Sequence, residues 1–207
     1  MEEAARTPEP TPTPASTDAK AQRILAGAAK VFSEKGYHNA SMRDIARETG
    51  ISLAGMYYYF ASKEEMLFSI QQYCFRAVLD GLRKRLAATT NSQDRLHAFF
   101  HNHLSFFIAN VREMRVLSHE GESLTGEHHR EVADLKREYF RALTEILQDA
   151  QGVTGSEFEL RRVGLSIFGM VNWIYTWYDP RRDGTADELA DLMCALVTRG
   201  LGEFDPH

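Results

Sequence analysis

Cysteine is scarce in this chain. Only Cys74 and Cys194 occur in 207 residues, each inside an apolar helical pattern. That excludes a disulfide framework as the source of stability and fits a reducing, cytoplasmic setting. Proline is missing where it would matter most. Four of the six prolines fall within TPEPTPTP near the start, and none occurs from 18 through 179. Proline lacks an N–H and clashes with the preceding turn, so a long proline-free run with apolar residues at three- and four-residue spacing predicts an all-α fold. No stretch of about 18 uncharged apolar residues is present, and none is expected to cross a membrane. The acidic N-terminus also lacks the basic and apolar regions of a secretory leader. Finally, there is no glycine-rich phosphate loop, nucleophile elbow, HExxH or paired carboxylate in a motif context. An enzyme is not expected, and no cofactor is implied.

What is present divides unevenly. Residues 18–63 carry seven lysines and arginines against four acidic residues, whereas the chain as a whole has a net charge of −5. A mildly basic segment joined to an acidic body suits a protein that touches a polyanion with one end. Residues 1–17 form a proline-rich tail with few large apolar residues, expected to be disordered.

Caps and stops divide the rest into about nine helices. The first covers 18–35 and stops at Gly36. Ser41 is placed as the N-cap of a short helix ending near Gly50, with Asp44 three residues on. Ser52 caps a second short helix to about Phe60, and Ser62 caps a long one to about Leu86. Further helices are expected at 92–109, 112–123, 127–151, 156–179 and 185–201. Two short capped helices joined by a tight turn at Gly50 have helix-turn-helix spacing. Ile45, Ala46, Ile51 and Met56 supply the apolar contacts. The second helix is too short to stand alone and must be held by its neighbours.

Its outward residues are Leu53, Ala54 and Gly55, then Tyr57, Tyr58 and Tyr59, with Lys63 just beyond. Small residues allow close approach to a groove. Tyrosine hydroxyls donate to phosphate oxygens, and their rings touch sugars and thymine methyls. Lys63 falls at the N-terminus of the next helix, where free N–H groups also attract phosphate. Phe60 is expected in the core. For Tyr57 a packed ring and a contact role both stand.

The run Ile24-Leu25-x-x-Ala28-x-x-Val31-Phe32-x-x-Lys35-Gly36-Tyr37, then Ser41-x-Arg43-Asp44-Ile45-Ala46, Gly50-Ile51-Ser52 and Gly55-Met56-Tyr57-Tyr58-Tyr59-Phe60-x-Ser62-Lys63-Glu64-Glu65-Met66-Leu67 resembles the DNA-binding domain of TetR-family transcriptional regulators. The resemblance implies a homodimeric repressor, released from a pseudo-palindromic operator by a small ligand. It implies base and phosphate contacts from Arg43, Leu53, Ala54, Gly55, Tyr58 and Tyr59. Tyr57 and Lys63 would meet the backbone, and Ser41 would anchor the first short helix to phosphate. Ser52, at its N-cap, joins this set. It divides the chain into a DNA-binding domain at 18–65 and a ligand-binding and dimerisation domain at 66–207. Leu53–Gly55 lack strong hydrogen-bonding side chains, so readout through shape and phosphate is expected to outweigh base contacts. For the same reason a helical ligand-binding or interaction protein without sequence-specific DNA binding stands as the alternative.

In the acidic part, Leu189, Leu192, Met193, Leu196 and Val197 follow amphipathic spacing, and 156–179 is apolar on more than one face. Pairing of these two helices with a second copy, as a four-helix bundle, is expected. Helix 92–109 carries Phe100, His103 and Phe107 along one stripe; His103 fits either a satisfied core residue or a ligand contact. Asn172 lies among aromatic residues and needs a partner or a ligand. Asn172-Trp173 and Trp177-Tyr178-x-Pro180, with the late Gly200-Leu201, resemble the acyl-CoA-responsive (FadR-like) subgroup. That implies an apolar tunnel walled by Phe100, Phe107, Tyr139, Trp173 and Trp177, with Arg130, Arg137 and Arg141 at its mouth for CoA phosphates. His97 and His101 have metal-ligand spacing, with His128, His129 and Glu120 further on, but local sequence fixes no third ligand.

Overall fold

The computed structural model describes residues 14–149 and 156–203, with side chains over 19–149 and 156–199. Among the described residues it is all helix: α1 Pro14–Lys35, α2 Met42–Thr49, α3 Leu53–Tyr59, α4 Lys63–Ala87, α5 Ser92–Ala109, α6 Val111–His119, α7 Gly126–Asp149, α8 Glu157–Asn172 and α9 Ala186–Glu203. A 3-10 turn, Trp173–Thr176, follows α8. None of the described helices is long and apolar enough to cross a membrane.

The expected caps form. Ser41 accepts the Asp44 N–H, Ser52 that of Gly55 and Ser62 that of Glu65. Gly50, in the turn between α2 and α3, has φ of 66°, a left-handed conformation that glycine adopts without a Cβ clash. The helix expected over 112–123 ends at His119, and two further expectations shift. First, α1 begins at Pro14 rather than 18, since proline is tolerated in a helix's first turn; the tail expected before it otherwise lies outside the described residues. Second, the helix expected over 156–179 stops at Asn172, and the chain tightens into the 3-10 turn before Pro180.

A single hydrophobic core runs the length of the molecule, from Ile24, Phe32, Ile45 and Met56 to Phe99, Leu143 and Ile146. The 25 residues of α4 reach about 37 Å at 1.5 Å per residue. That helix packs on α1 at one end and on α5 and α7 further along, so it belongs to both halves. The α1–α2 contact is close: a Cβ on Gly27 would stand 2.3 Å from Thr49 Cγ2.

Candidate nucleic-acid interface and ligand cavity

Met56 and Phe60 are buried, and they anchor α3 against the core. That leaves Tyr57 51% and Tyr58 74% exposed. Tyr57 is therefore not a core residue. Tyr59 is half-buried; its ring meets Tyr58 edge-on at 5.1 Å, and Lys20 Nζ lies 6.0 Å from its centroid. Arg43, Ser52 and Ala54 are exposed on the same end of the molecule. Leu53 and Gly55 are partly exposed beside them. Ser52 Oγ accepts the Gly55 N–H, so its own O–H remains available to donate. Ser52, Leu53, Ala54, Gly55 and the three tyrosines thus share α3 and its cap, and Arg43 stands exposed on α2, which packs against α3.

Two expected phosphate contacts have other work. Lys63 Nζ donates to the carbonyls of Tyr37, His38 and Ala40 at 2.9, 3.2 and 3.1 Å, and lies 4.5 Å from the centroid of the Tyr37 ring. An ammonium has three donors, and all three are spent clamping the α1–α2 turn to α4. Ser41 likewise gives both donors to Asp44 Oδ2, from Oγ at 2.6 Å and from N at 3.0 Å. The Asp44 carboxyl is held well below the ordinary carboxylate range, first by the hydrogen bond it accepts from Lys35 and then by those from Ser41. Lys63 and Ser41 build the platform that presents α2 and α3 and have no donor left for phosphate. For Lys63 sequence spacing cannot show this, because the competing acceptors are backbone carbonyls of another helix's turn; for Ser41 the competitor is its own capping partner, legible in the Ser-x-x-Asp spacing.

The second feature is an open cavity of about 1070 Å³ lined by α4, α5, α6, α7 and α8. Its inner wall is apolar and aromatic, including Phe75, Phe107, Tyr139, Phe140, Leu160 and Phe168. Arg137, Arg141 and Arg161, with Glu145 and Glu157, are exposed at its rim. Arg137 is also paired with Asp134. Lys136 is half-buried in the wall, 5.7 Å from the Phe75 ring centroid, and burial lowers its pKa.

Of the expected ligand residues, His103, Phe107, Arg137, Tyr139 and Asn172 line this cavity. Phe100 does not: it is fully buried in the core, edge-on to Phe99 at 5.9 Å. The reason is that α5 is covered by α9 as well as by α4 and α7, so its apolar stripe serves several neighbours. Trp173 and Trp177 also lie outside it, 61% and 46% exposed. Trp173 stands about 100° round a helix axis from Asn172, and the tighter 3-10 winding keeps both indoles at the surface. Arg130 bonds the Gly126 carbonyl instead of joining the rim. Sequence reading missed Arg161, Lys136 and the α4 wall, whereas the helix expected over 112–123 does line the cavity through Met114, Leu117 and Ser118. Arg161 and Phe168 are a helical repeat apart on α8, a weak signal that was available; the α4 contribution of Cys74, Phe75 and Val78 was not.

The histidines with metal-ligand spacing face carboxylates across α5 and α9. His97 Nε2 lies 2.9 Å from Asp191 and His101 Nε2 lies 2.6 Å from Asp187. His128 stacks on Phe68 at 4.1 Å. No group of three or more metal-ligating side chains converges among the described residues.

Cavity and interface are joined through α6. Met114, Leu117, Ser118 and Gly121 line the cavity. Between them and the DNA-facing end, buried Glu120 accepts the Tyr37 N–H at Oε1 (3.1 Å) and the Ser123 hydroxyl at Oε2 (2.7 Å). Its carbonyl accepts from Gln71 Nε2 of α4 at 2.9 Å.

The tetracyclin repressor-like C-terminal domain model matches residues 89–201, and the model of bacterial regulatory proteins of the tetR family matches residues 24–70. The chain belongs to the TetR family of transcriptional regulators. This TetR-family chain is 35% identical over 81 residues to the HTH-type transcriptional activator FasR of Mycolicibacterium smegmatis, a match that spans 39% of this chain and only 37% of that protein. It is 22% identical over 189 residues to the fatty acid metabolism regulator protein of Bacillus subtilis, covering 88% of this chain and 95% of that protein. It also resembles AibR, solved in complex with isovaleryl coenzyme A and operator DNA, with a TM-score of 0.75 and 27% identity over 86% of this chain and 97% of that one.

Proposed function

We propose that this TetR-family regulator is a homodimeric repressor released from its operator by an acyl-CoA-type effector. The observation that carries the reading is the double engagement of α6. One side of that helix walls an apolar cavity with an arginine rim, and its C-terminal end holds the α1–α2 turn through Glu120 and Tyr37. An acyl chain would take the aromatic interior. Arg137, Arg141 and Arg161 would take CoA phosphates, for which guanidinium geometry is well matched. A relative that binds isovaleryl coenzyme A and operator DNA, and one named for fatty acid metabolism, support the same class.

The DNA side follows from α3. Tyr57, Tyr58 and the Ser52 hydroxyl offer donors to phosphates, Arg43 offers a cation, and Leu53–Gly55 present little bulk to the groove. Exposed Phe158 on α8, with Leu192 and Leu196 on α9, offers the apolar surface through which a second copy would pair. The pair would set two α3 helices about 34 Å apart, one turn of duplex. Effector bound between α6, α7 and α8 would favour a setting of α6 that moves Tyr37 and with it α2 and α3. The shift is limited by the effector's differential affinity for the two settings.

Gel-shift titration against promoter fragments, including that of its own gene, tests the reading. Salt-dependent preference for a promoter fragment over random DNA, reversed by micromolar acyl-CoA but not by CoA alone, is the expected result. Retention of DNA at saturating acyl-CoA of every chain length from four to eighteen carbons would reject the effector class. Absence of any salt-dependent DNA binding would instead support an interaction protein on the same scaffold.

A further inference from the structure

His103 is one polar group in the cavity wall that the reading above leaves without work. It is 3% exposed. Its ring is stacked on Phe107 at 4.5 Å and flanked by Tyr139 at 5.9 Å and Phe168 at 6.0 Å. Nδ1 is paired with the Tyr139 hydroxyl at 3.1 Å. Nε2 is buried and has no hydrogen-bond partner among the described residues, although the residue lines the cavity. Asn172, which also lines the cavity, approaches the ring closely enough to favour its charged form, but the contact falls short of a hydrogen bond to Nε2. Burial dominates and pushes the pKa down to about 3, so the ring is neutral and Nε2 offers one hydrogen bond without a formal charge.

A buried polar atom left unpaired is costly. A packed aromatic wall would be more stable with phenylalanine here unless the cavity's occupant supplied the partner. The position in the wall says which part of the occupant that is. The guanidinium groups stand exposed at the rim, where a phosphate-bearing head belongs. The His103 ring is held among Phe107, Tyr139 and Phe168 in the buried interior, where the acyl portion belongs.

We propose that the effector carries a hydrogen-bonding oxygen on its acyl portion, a hydroxyl or carbonyl beyond the thioester, and that His103 Nε2, assisted by Asn172, reads it. This inference rests on the cavity being the effector site; it deepens that reading by naming an oxygen-substituted acyl group rather than a plain saturated chain. The Tyr139 hydroxyl, paired with Nδ1, fixes the orientation of the ring, so Tyr139 is a positioning residue. Burial of a site polar group discriminates strongly against a ligand that lacks its partner.

Isothermal titration of the full chain with octanoyl-CoA, 3-hydroxyoctanoyl-CoA and 3-oxooctanoyl-CoA, and with the corresponding free acids, tests it. At least one oxygenated ligand is expected to bind about tenfold or more tighter than its saturated counterpart. His103→Leu is expected to bring the ratio of oxygenated to saturated affinities to about one, and His103→Gln to keep part of it. Should His103→Leu fail to fold, Asn172→Leu, at an exposed position at the end of α8, is expected to reduce the preference at least threefold. A preference seen only among the free acids would support the His103 assignment and reject the CoA head group, which separates the two readings. Equal binding of saturated and oxygenated ligands in both series, no binding in either, or a preference that survives His103→Leu would overturn the assignment.

Discussion

Replacing Lys63 by alanine removes an ammonium that ties three carbonyls of the α1–α2 turn to the first turn of α4. Two of those carbonyls, of Tyr37 and Ala40, belong to buried residues, whereas that of His38 can turn to water. A hydrogen bond to a charged group contributes about 1.5–3 kcal/mol in a favourable case. Lys63 is only half-buried, so we take about 1 kcal/mol for each of the two shielded bonds and a few tenths for the cation over the Tyr37 ring. The expected loss is about 2–3 kcal/mol, or roughly 5–10 °C in Tm for a chain of this size. Scanning calorimetry reads the stability, and fluorescence anisotropy of an operator duplex across a salt series reads the DNA contact. Operator affinity should weaken, because Ser41, Arg43 and the rest of α2 lose their fixed setting. The slope of log K against log salt should stay the same, since no phosphate contact is deleted. Lys63→Met, which keeps most of the stem, should behave alike. A Tm within a degree of the parent together with a slope reduced by about one would refute the clamp. It would mean that the ammonium leaves the carbonyls for the duplex.

Tyr58→Phe removes one exposed hydroxyl and little else, so operator affinity should fall about threefold to tenfold with Tm unchanged, as gel shift and calorimetry would show. Gly27→Ala places a methyl 2.3 Å from Thr49 Cγ2, and the α1–α2 crossing should open at a cost of about 1–3 kcal/mol, measured by urea denaturation. Burial depresses the His103 pKa to about 3 in the folded state, whereas an exposed imidazole titrates near 6.5. Between those values the unfolded chain binds the extra proton, so stability falls as pH drops from about 6.5 toward 3. His103→Phe should flatten that part of the stability profile measured by urea titration at successive pH values. Cys74 is buried with its thiol pushed up to about 12; alkylation at pH 8 should modify it only under denaturant, as peptide mass mapping would show.

How much of this was legible beforehand differs element by element. Expected helix 92–109 is found at Ser92–Ala109, because Asn91 can cap it and its stripe of Leu96, Phe99, Leu104 and Phe107 is a clean helical period. The serines at 41, 52 and 62 each marked an N-terminus for the same local reason: a side-chain oxygen reaches an N–H three residues on. The end of α8 was not legible. Pro180 disturbs only the turn immediately before it, too late to end a helix at Asn172, and nothing in Trp173-Ile174-Tyr175-Thr176 forces a 3-10 turn by composition. In the candidate site, His103, Phe107 and Tyr139 were found because aromatic and polar residues interrupt apolar stripes. Phe100 fits that stripe equally well but packs into the core, since sequence does not say how many neighbours share one helix face.

The sequence by itself determined that the chain is helical, where most helices begin, and that its second short helix carries exposed tyrosines. These follow from forces acting over three or four residues: caps, proline exclusion and amphipathic period. Only the tertiary structure decided that Lys63 holds the α1–α2 turn, that Glu120 joins α6 to that turn across 83 residues of chain, and that His103 keeps an unpaired nitrogen in a cavity shared by five helices. Each depends on groups far apart in sequence competing for the same donor, acceptor or space, and that competition is resolved only when the helices pack.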